Sequence, residues 1–149
     1  MKHTDISFLK NEATKNDNLN QTVTVCGWVR TSRDSKNMAF MEINDGTTFK
    51  HLQIVIDKSQ GVENAEAMHL GTSVKVTGTA VEGRQGALEI NAQEIEVLGT
   101  CPADYPLQKK RHSLEYLRTI SHLRARTNTF QAVFRVRSLI AFAIHSFFM

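Results

Sequence analysis

The chain contains 149 residues, enough for one domain of ordinary size and a short extension but too few for two full domains. Hydrophobic residues make up 41% and charged residues 22%, values typical of a soluble globular protein, and no apolar run approaches the roughly 20 residues of a membrane span. Residues 1–21 have neither a continuous apolar stretch nor a small-residue cleavage site, which argues against a secretory signal and favours the cytoplasm.

Basic residues are concentrated at the C-terminal end. From Cys101 onward there are eight Lys or Arg and two acidic residues, whereas the first hundred residues hold ten basic and thirteen acidic ones. Lys109, Lys110 and Arg111 would attract phosphate groups through Coulomb attraction and the release of counterions. Taken alone, this segment is more typical of a solvated linker, so the charge pattern leaves both interpretations open.

After an N-terminal tail at 1–21, alternating apolar and polar residues predict a mainly β domain over 22–98. A first strand near 23–29 is followed by a hairpin at Asn44-Asp45-Gly46-Thr47, whose residues tolerate positive φ. One short helix is predicted over 62–70, and two more strands follow, separated by a glycine-rich turn at 82–86. Five strands with one helix between the third and the fourth predict an OB-fold, a small barrel that commonly binds oligonucleotides.

The residues after the barrel predict a linker and then helices. Both prolines of the chain, Pro102 and Pro106, fall within 99–113, where each removes a backbone donor and fixes φ, so this segment is predicted to be the linker. Apolar residues recur at helical spacing over 114–149, with a long helix from about residue 130 that has a large apolar face and no stop signal. This part is predicted to be an α-helical extension.

Strand parity isolates the residues of the outer barrel face, where a ligand could bind. They are Trp28, Arg30, Phe40, Glu42, Gln53, Glu89 and Asn91. A phenylalanine at position 40 would lose burial there unless something packs on it, and an unpaired RNA base is a natural occupant. Gln53, on the neighbouring strand, has a donor and an acceptor for a base edge. Cover of Phe40 by a loop or by the N-terminal tail remains the alternative, as does a plain surface role for Glu89.

Several sequence runs resemble the N-terminal domain of the class II aminoacyl-tRNA synthetases of the aspartate and asparagine group. They are TVCGWVR at 24–30, the SK pair at 35–36 before Phe40, and NDG at 44–46. The SK pair, the NDG turn and especially RHSLEYLR at 111–118 are similar to the asparaginyl-tRNA synthetases rather than to the aspartate enzymes. The resemblance covers nearly everything from residue 22 to residue 149.

The resemblance implies a role for each of four residues of the barrel. Phe40 would stack on the central uracil of the anticodon, Gln53 and Glu89 would contact anticodon bases, and Arg33 would bind the same loop. Arg30 is added from its predicted face and charge alone. The implied partner is therefore the anticodon loop of the asparagine tRNA.

The complete enzyme implied by the resemblance is a homodimer that attaches asparagine to its tRNA with ATP and magnesium. Here the helix from residue 130 resembles only the start of the first class II motif, and residues resembling the second and third motifs are absent from the sequence. We therefore expect a truncated chain that binds tRNA but has no catalytic residue and no cofactor of its own. The histidines and the two cysteines lack ligand spacing, so no metal site is predicted.

Two other interpretations remain open at the level of sequence. The chain could be a free-standing OB-fold module that binds single-stranded nucleic acid, or a subunit that docks onto a separate catalytic chain. The apolar face of the predicted C-terminal helix argues against the free-standing module, because an independent binding domain has no use for such a surface.

Overall fold

The structure is a computed structural model that describes residues 3–64, 69–83 and 86–149. The chain divides into two compact units, Met1–Tyr105 and Pro106–Met149. All described strands belong to the first unit, and the second unit is helical.

The first unit contains a closed five-stranded barrel. Its strands are β1 (Thr22–Asp34), β2 (Met38–Asn44), β3 (Leu52–Asp57), β4 (Ser73–Glu82) and β5 (Leu88–Gly99). They follow one another around the barrel in the order β1-β2-β3-β5-β4. The β3–β5 pair is parallel and the other pairs are antiparallel. This is the architecture of an OB-fold, so the mainly β fold predicted from the alternating pattern is confirmed.

Alternate residues of β2, β3, β4 and the first part of β1 fill the barrel interior, as the alternation predicts. The largest fully buried side chains are Ile6, Leu9, Met41, Ile43, Leu52, Ile54, Ile56, Leu88, Ile90, Val25, Val29 and Val74. Full burial of each large aliphatic side chain contributes about 1.5–3 kcal/mol, so this set supplies most of the stabilisation of the barrel. The same alternation directs the intervening residues outward.

Strand β1 contains a register shift that the sequence pattern did not reveal. Val29 pairs with Ile43, but the next pair is Thr31 with Glu42, so Arg30 is an extra residue of β1 relative to β2. Beyond this bulge the odd-numbered residues of β1, including Arg33, change from the inner to the outer face.

The N-terminal segment, predicted to be a tail, contributes two core residues. Helix α1 (Ile6–Leu9) buries Ile6 and Leu9 completely. Its first turn is held by the β2–β3 connection, because the backbone N–H of Ile6 donates to Asp45 Oδ2 (2.8 Å) and that of Ser7 donates to Thr47 Oγ1 (3.0 Å). A second short helix, α2 (Lys15–Asn18), precedes β1. The segment is therefore part of the packed barrel unit.

The connection between β3 and β4 was predicted to form a helix over 62–70. Its first part, residues 62–64, is not helical, and a single 3-10 turn at Lys58–Gln60 precedes it. The rest of the prediction falls mainly on residues 65–68, which lie outside the described residues, as do residues 84 and 85 of the predicted glycine-rich turn.

The second unit consists of α3 (Leu114–Thr119), a 3-10 turn at Arg124–Arg126 and α4 (Asn128–Phe148). The hydroxyl of Ser113 caps α3 and that of Thr127 caps α4, by accepting from backbone N–H groups of the first turns. Most apolar side chains of α4 are exposed, including Leu139, Phe142 and Phe147. In the described ranges of the chain, no helix has the length and apolar character needed to cross a bilayer.

Leu9→Ala tests whether α1 belongs to the core. The lost apolar contacts and the resulting cavity should lower the free energy of unfolding of the barrel by about 2–5 kcal/mol. Chemical denaturation followed by the fluorescence of Trp28, the single tryptophan and a residue of β1, measures this change in the first unit. Phe8→Ala is the matched control, because Phe8 lies on the same short helix but is 48% exposed. Equal small effects of both substitutions would show that α1 is not packed.

Candidate nucleic-acid interface

The register of the barrel arranges outward side chains in two adjacent rows across β1, β2, β3 and β5. The first row, the phenylalanine row, runs through Arg33, Phe40, Val55 and Asn91. The second row, the glutamine row, runs through Thr31, Glu42, Gln53 and Glu89. Directly opposed residues on antiparallel neighbours have Cβ atoms about 4.5–5.5 Å apart. The structure therefore brings Arg33, Phe40, Gln53 and Glu89 onto one patch.

Phe40 lies between Arg33 of β1 and Val55 of β3. The ring is half-buried, so neither a loop nor the N-terminal segment covers it completely. Part of the ring surface therefore remains open to a planar ligand. The guanidinium of Arg33, which is exposed, makes no hydrogen bond or ion pair with any residue that the structure describes.

Gln53 lies between two carboxylates in the glutamine row, with Glu42 opposite it on β2 and Glu89 opposite it on β5. Its side-chain amide makes no hydrogen bond to another described residue, and it is half-buried. An amide with both its N–H groups and its oxygen unused can donate to one atom of a ligand and accept from another. Gln53 is therefore suited to the edge of a nucleobase.

Glu89 is positioned by the turn between β4 and β5. A Cβ atom at Gly83 would overlap the carboxylate of Glu89, so the absence of a side chain at residue 83 leaves the space that this carboxylate occupies. The backbone N–H of Gly83 donates to the carbonyl of Ala87, which closes the turn. Among the described residues, the Glu89 carboxylate accepts no hydrogen bond.

Arg30 is the one predicted site residue that belongs to neither row. It falls at the register shift of β1, between Val29 and Thr31, and it is half-buried. Arg30 also interacts with another part of the chain. The bulge therefore separates Arg30 from the patch formed by the other four.

The structure adds two residues that the sequence pattern did not place at the site. Thr31 joins the glutamine row because of the bulge, and its hydroxyl donates to Glu42 Oε2 (2.7 Å). His51 precedes β3, and its Nδ1 lies 3.7 Å from the same oxygen. Parity could have indicated His51, which is two residues before Gln53, but it misplaces Thr31 unless the bulge is known.

A match to the family of OB-fold nucleic acid binding domains covers residues 23–98. Relatives include an asparagine–tRNA ligase of Desulfitobacterium hafniense, 54% identical over 87% of this chain and 29% of its own length. Another, from Clostridium kluyveri, is 46% identical over 99% of this chain and 32% of its own length. The crystal structure of asparaginyl-tRNA synthetase from Pyrococcus horikoshii superimposes with a TM-score of 0.82 at 22% identity, covering 98% of this chain and 35% of that chain.

The chain therefore belongs to the OB-fold nucleic acid binding domain family. Within it, the resemblance to the asparaginyl-tRNA synthetases predicted from the sequence is confirmed, and the chain corresponds to their anticodon-binding part. It spans about three tenths of the length of the relatives that it matches.

Gly83→Ala tests whether the turn positions Glu89. The new methyl group should displace the flexible carboxylate, whereas the unfolding free energy should change by less than about 1 kcal/mol because the side chain can rotate away. The carboxyl ¹³C resonance of Glu89 reports its displacement, and chemical denaturation reports stability. In a Glu89→Ala background the same substitution should have no further effect on stability. An unchanged carboxyl resonance in Gly83→Ala would contradict the arrangement.

Proposed function

We propose that this chain binds the anticodon loop of a tRNA, that of the asparagine tRNA, through the two outward rows of its barrel. The observation that carries the proposal is the patch itself, on which a half-buried phenylalanine shares two adjacent rows with Arg33, Gln53 and Glu89, whose side chains have no hydrogen-bond partners among the described residues. Such a combination of a stacking surface and unused polar groups is what an unpaired base requires.

Each predicted residue has a distinct task in this proposal. Phe40 stacks on the central base of the anticodon, a uracil, and Gln53 pairs with the edge of a base. Glu89 accepts an N–H of an anticodon base, and Arg33 contributes positive charge for the loop backbone. Arg30, at the bulge, contributes positive charge for the phosphates of the loop more weakly, because it lies outside both rows.

The complete enzyme is proposed to attach asparagine to this tRNA with ATP and magnesium, as a cytoplasmic homodimer. In residues 3–64, 69–83 and 86–149, no group of three or more His, Cys, Asp or Glu side chains could hold a metal ion. The contribution of this chain is proposed to be recognition of the tRNA alone.

Phe40→Ala tests the stacking role. Loss of the ring should weaken binding of an anticodon stem-loop by about 1–3 kcal/mol and leave the fold intact, because the side chain points outward. A fluorescence titration of the stem-loop measures the affinity, and circular dichroism checks the fold. Phe8→Ala is the matched control, since Phe8 is an exposed phenylalanine outside the two rows.

Two results of that titration would oppose the proposal. Unchanged binding by a folded Phe40→Ala variant would show that the ring does not contact RNA. Equal affinity for the stem-loop and for an unstructured strand of the same loop sequence would favour the second candidate function, a module for single-stranded nucleic acid in general. That alternative uses the same stacking surface but needs no particular anticodon.

The 149-residue chain by itself should not form asparaginyl-adenylate. Its sequence has no residues resembling the second and third class II motifs, which would position ATP and the amino acid. Asparagine-dependent exchange of pyrophosphate into ATP is the assay, with a complete asparaginyl-tRNA synthetase as the positive control. Exchange above a no-protein blank, in a preparation free of host synthetase, would refute this expectation.

A further inference from the structure

We infer that Glu42 is a further specificity-determining residue of the RNA-binding face, which reads a guanine beside the base contacted by Gln53. The inference rests on the proposed function and adds a second carboxylate contact, on the side of Gln53 opposite to Glu89. Three features of Glu42 carry it: its place in the glutamine row, the way in which one of its oxygens is held, and the availability of the other.

Glu42 is directly opposite Gln53 in the β2–β3 register and directly opposite Thr31 in the β1–β2 register. It therefore lies in the middle of the patch and one row away from Phe40, which is two residues earlier on the same face of β2. A base adjacent to one that stacks on Phe40 would lie within reach of this side chain.

The carboxylate of Glu42 is fixed through one oxygen only. Thr31 Oγ1 donates to Oε2 at 2.7 Å, and His51 Nδ1 lies 3.7 Å from the same atom. The other oxygen, Oε1, accepts no hydrogen bond from any described residue, and the side chain is 35% exposed. The result is an oriented acceptor with one oxygen open to a ligand.

A carboxylate on an RNA-binding face has a limited range of uses. It repels phosphates, so it does not position the backbone, but it accepts strongly from N–H groups of base edges. An ionised carboxylate is an acceptor only, whereas the amide of Gln53 can turn over and present either a donor or an acceptor. Glu42 therefore always presents an acceptor to the ligand, whereas Gln53 can present either a donor or an acceptor.

The chemistry of base edges selects guanine. The Watson–Crick edge of guanine presents two neighbouring donors, N1–H and the N2 amino group. Uracil places a carbonyl oxygen on each side of its N–H, and each of these oxygens would face the carboxylate. Adenine and cytosine offer one amino group beside a ring-nitrogen acceptor. A carboxylate thus favours guanine over the other three bases, typically on the order of 10-fold or more for one good contact.

The test compares stem-loops in which each guanine of the anticodon loop is replaced in turn by adenine or by inosine, which lacks the N2 amino group. For the wild-type chain, one position should show a loss on the order of 10-fold with adenine and a smaller loss with inosine. Glu42→Gln should bind the unmodified stem-loop on the order of 10-fold more weakly and should no longer distinguish the three bases at that position.

Variants of Thr31, whose hydroxyl holds the Glu42 carboxylate, test whether Thr31 positions that carboxylate or only maintains the fold. Thr31→Val removes the hydroxyl that holds Oε2 and should reduce the guanine preference. Thr31→Ser keeps the hydroxyl and should therefore keep the guanine preference of the wild-type chain. Glu96→Gln is the matched control, since Glu96 pairs with Lys75 on strands β4 and β5 rather than with the glutamine row. It should leave both affinity and base preference unchanged.

The outcomes distinguish this inference from the proposed function. If Phe40→Ala weakens binding but Glu42→Gln keeps the wild-type base preference, or loses the same factor with every RNA, the role of Glu42 is refuted and the proposed function stands. If the wild-type chain binds no stem-loop, both are refuted together. A selective loss of guanine preference in both Glu42→Gln and Thr31→Val, with unchanged circular dichroism, supports the inference.

Discussion

Closure of the five-stranded sheet is the constraint on which the rest of this structure depends. In a closed barrel the strands have no free edge, so the register of each pair is fixed by its two neighbours. Since side chains alternate with a period of two, a fixed register determines both the packed interior and the composition of the outer rows. The apolar residues thus stabilise the barrel and, through the same geometry, place Phe40 beside Gln53.

Two local features modify this regular barrel: one changes which residues of β1 face outward, and the other attaches the N-terminal helix. The bulge of β1 rotates Thr31 and Arg33 outward, which extends both rows onto a strand that would otherwise present the opposite parity. The second feature is the β2–β3 connection, which follows the C-terminal end of β2. Within it, Asn44 Nδ2 donates to the carbonyl of Thr48, and Asp45 Oδ2 accepts from the N–H of Ile6. Polar turn residues therefore attach the N-terminal helix to the strand that contains Phe40.

The sequence was sufficient for the fold because its strands have strong alternation and apolar inner residues. Parity also identified Phe40, Gln53 and Glu89 as outward residues, and family resemblance added Arg33. The role of the N-terminal segment was not predictable in this way, because α1 is a single turn whose capping groups come from residues 45 and 47, about 40 positions away. Thr31 was missed because a bulge changes parity without leaving a glycine or proline in the sequence.

The electrostatic character of the patch is mixed, and this bears on how it can select RNA. Arg33 in the phenylalanine row can lower the energy of nearby phosphates, whereas Glu42 and Glu89 flank Gln53 in the neighbouring row and repel them. In the proposed complex, repulsion on one side and attraction on the other would orient the RNA backbone over the phenylalanine row and direct base edges toward the carboxylates. Because carboxylates only accept hydrogen bonds, a loop that presents carbonyl oxygens to them loses binding energy. In the proposed complex, positive charge on this face would contribute general affinity, and the two carboxylates would contribute the discrimination between loops.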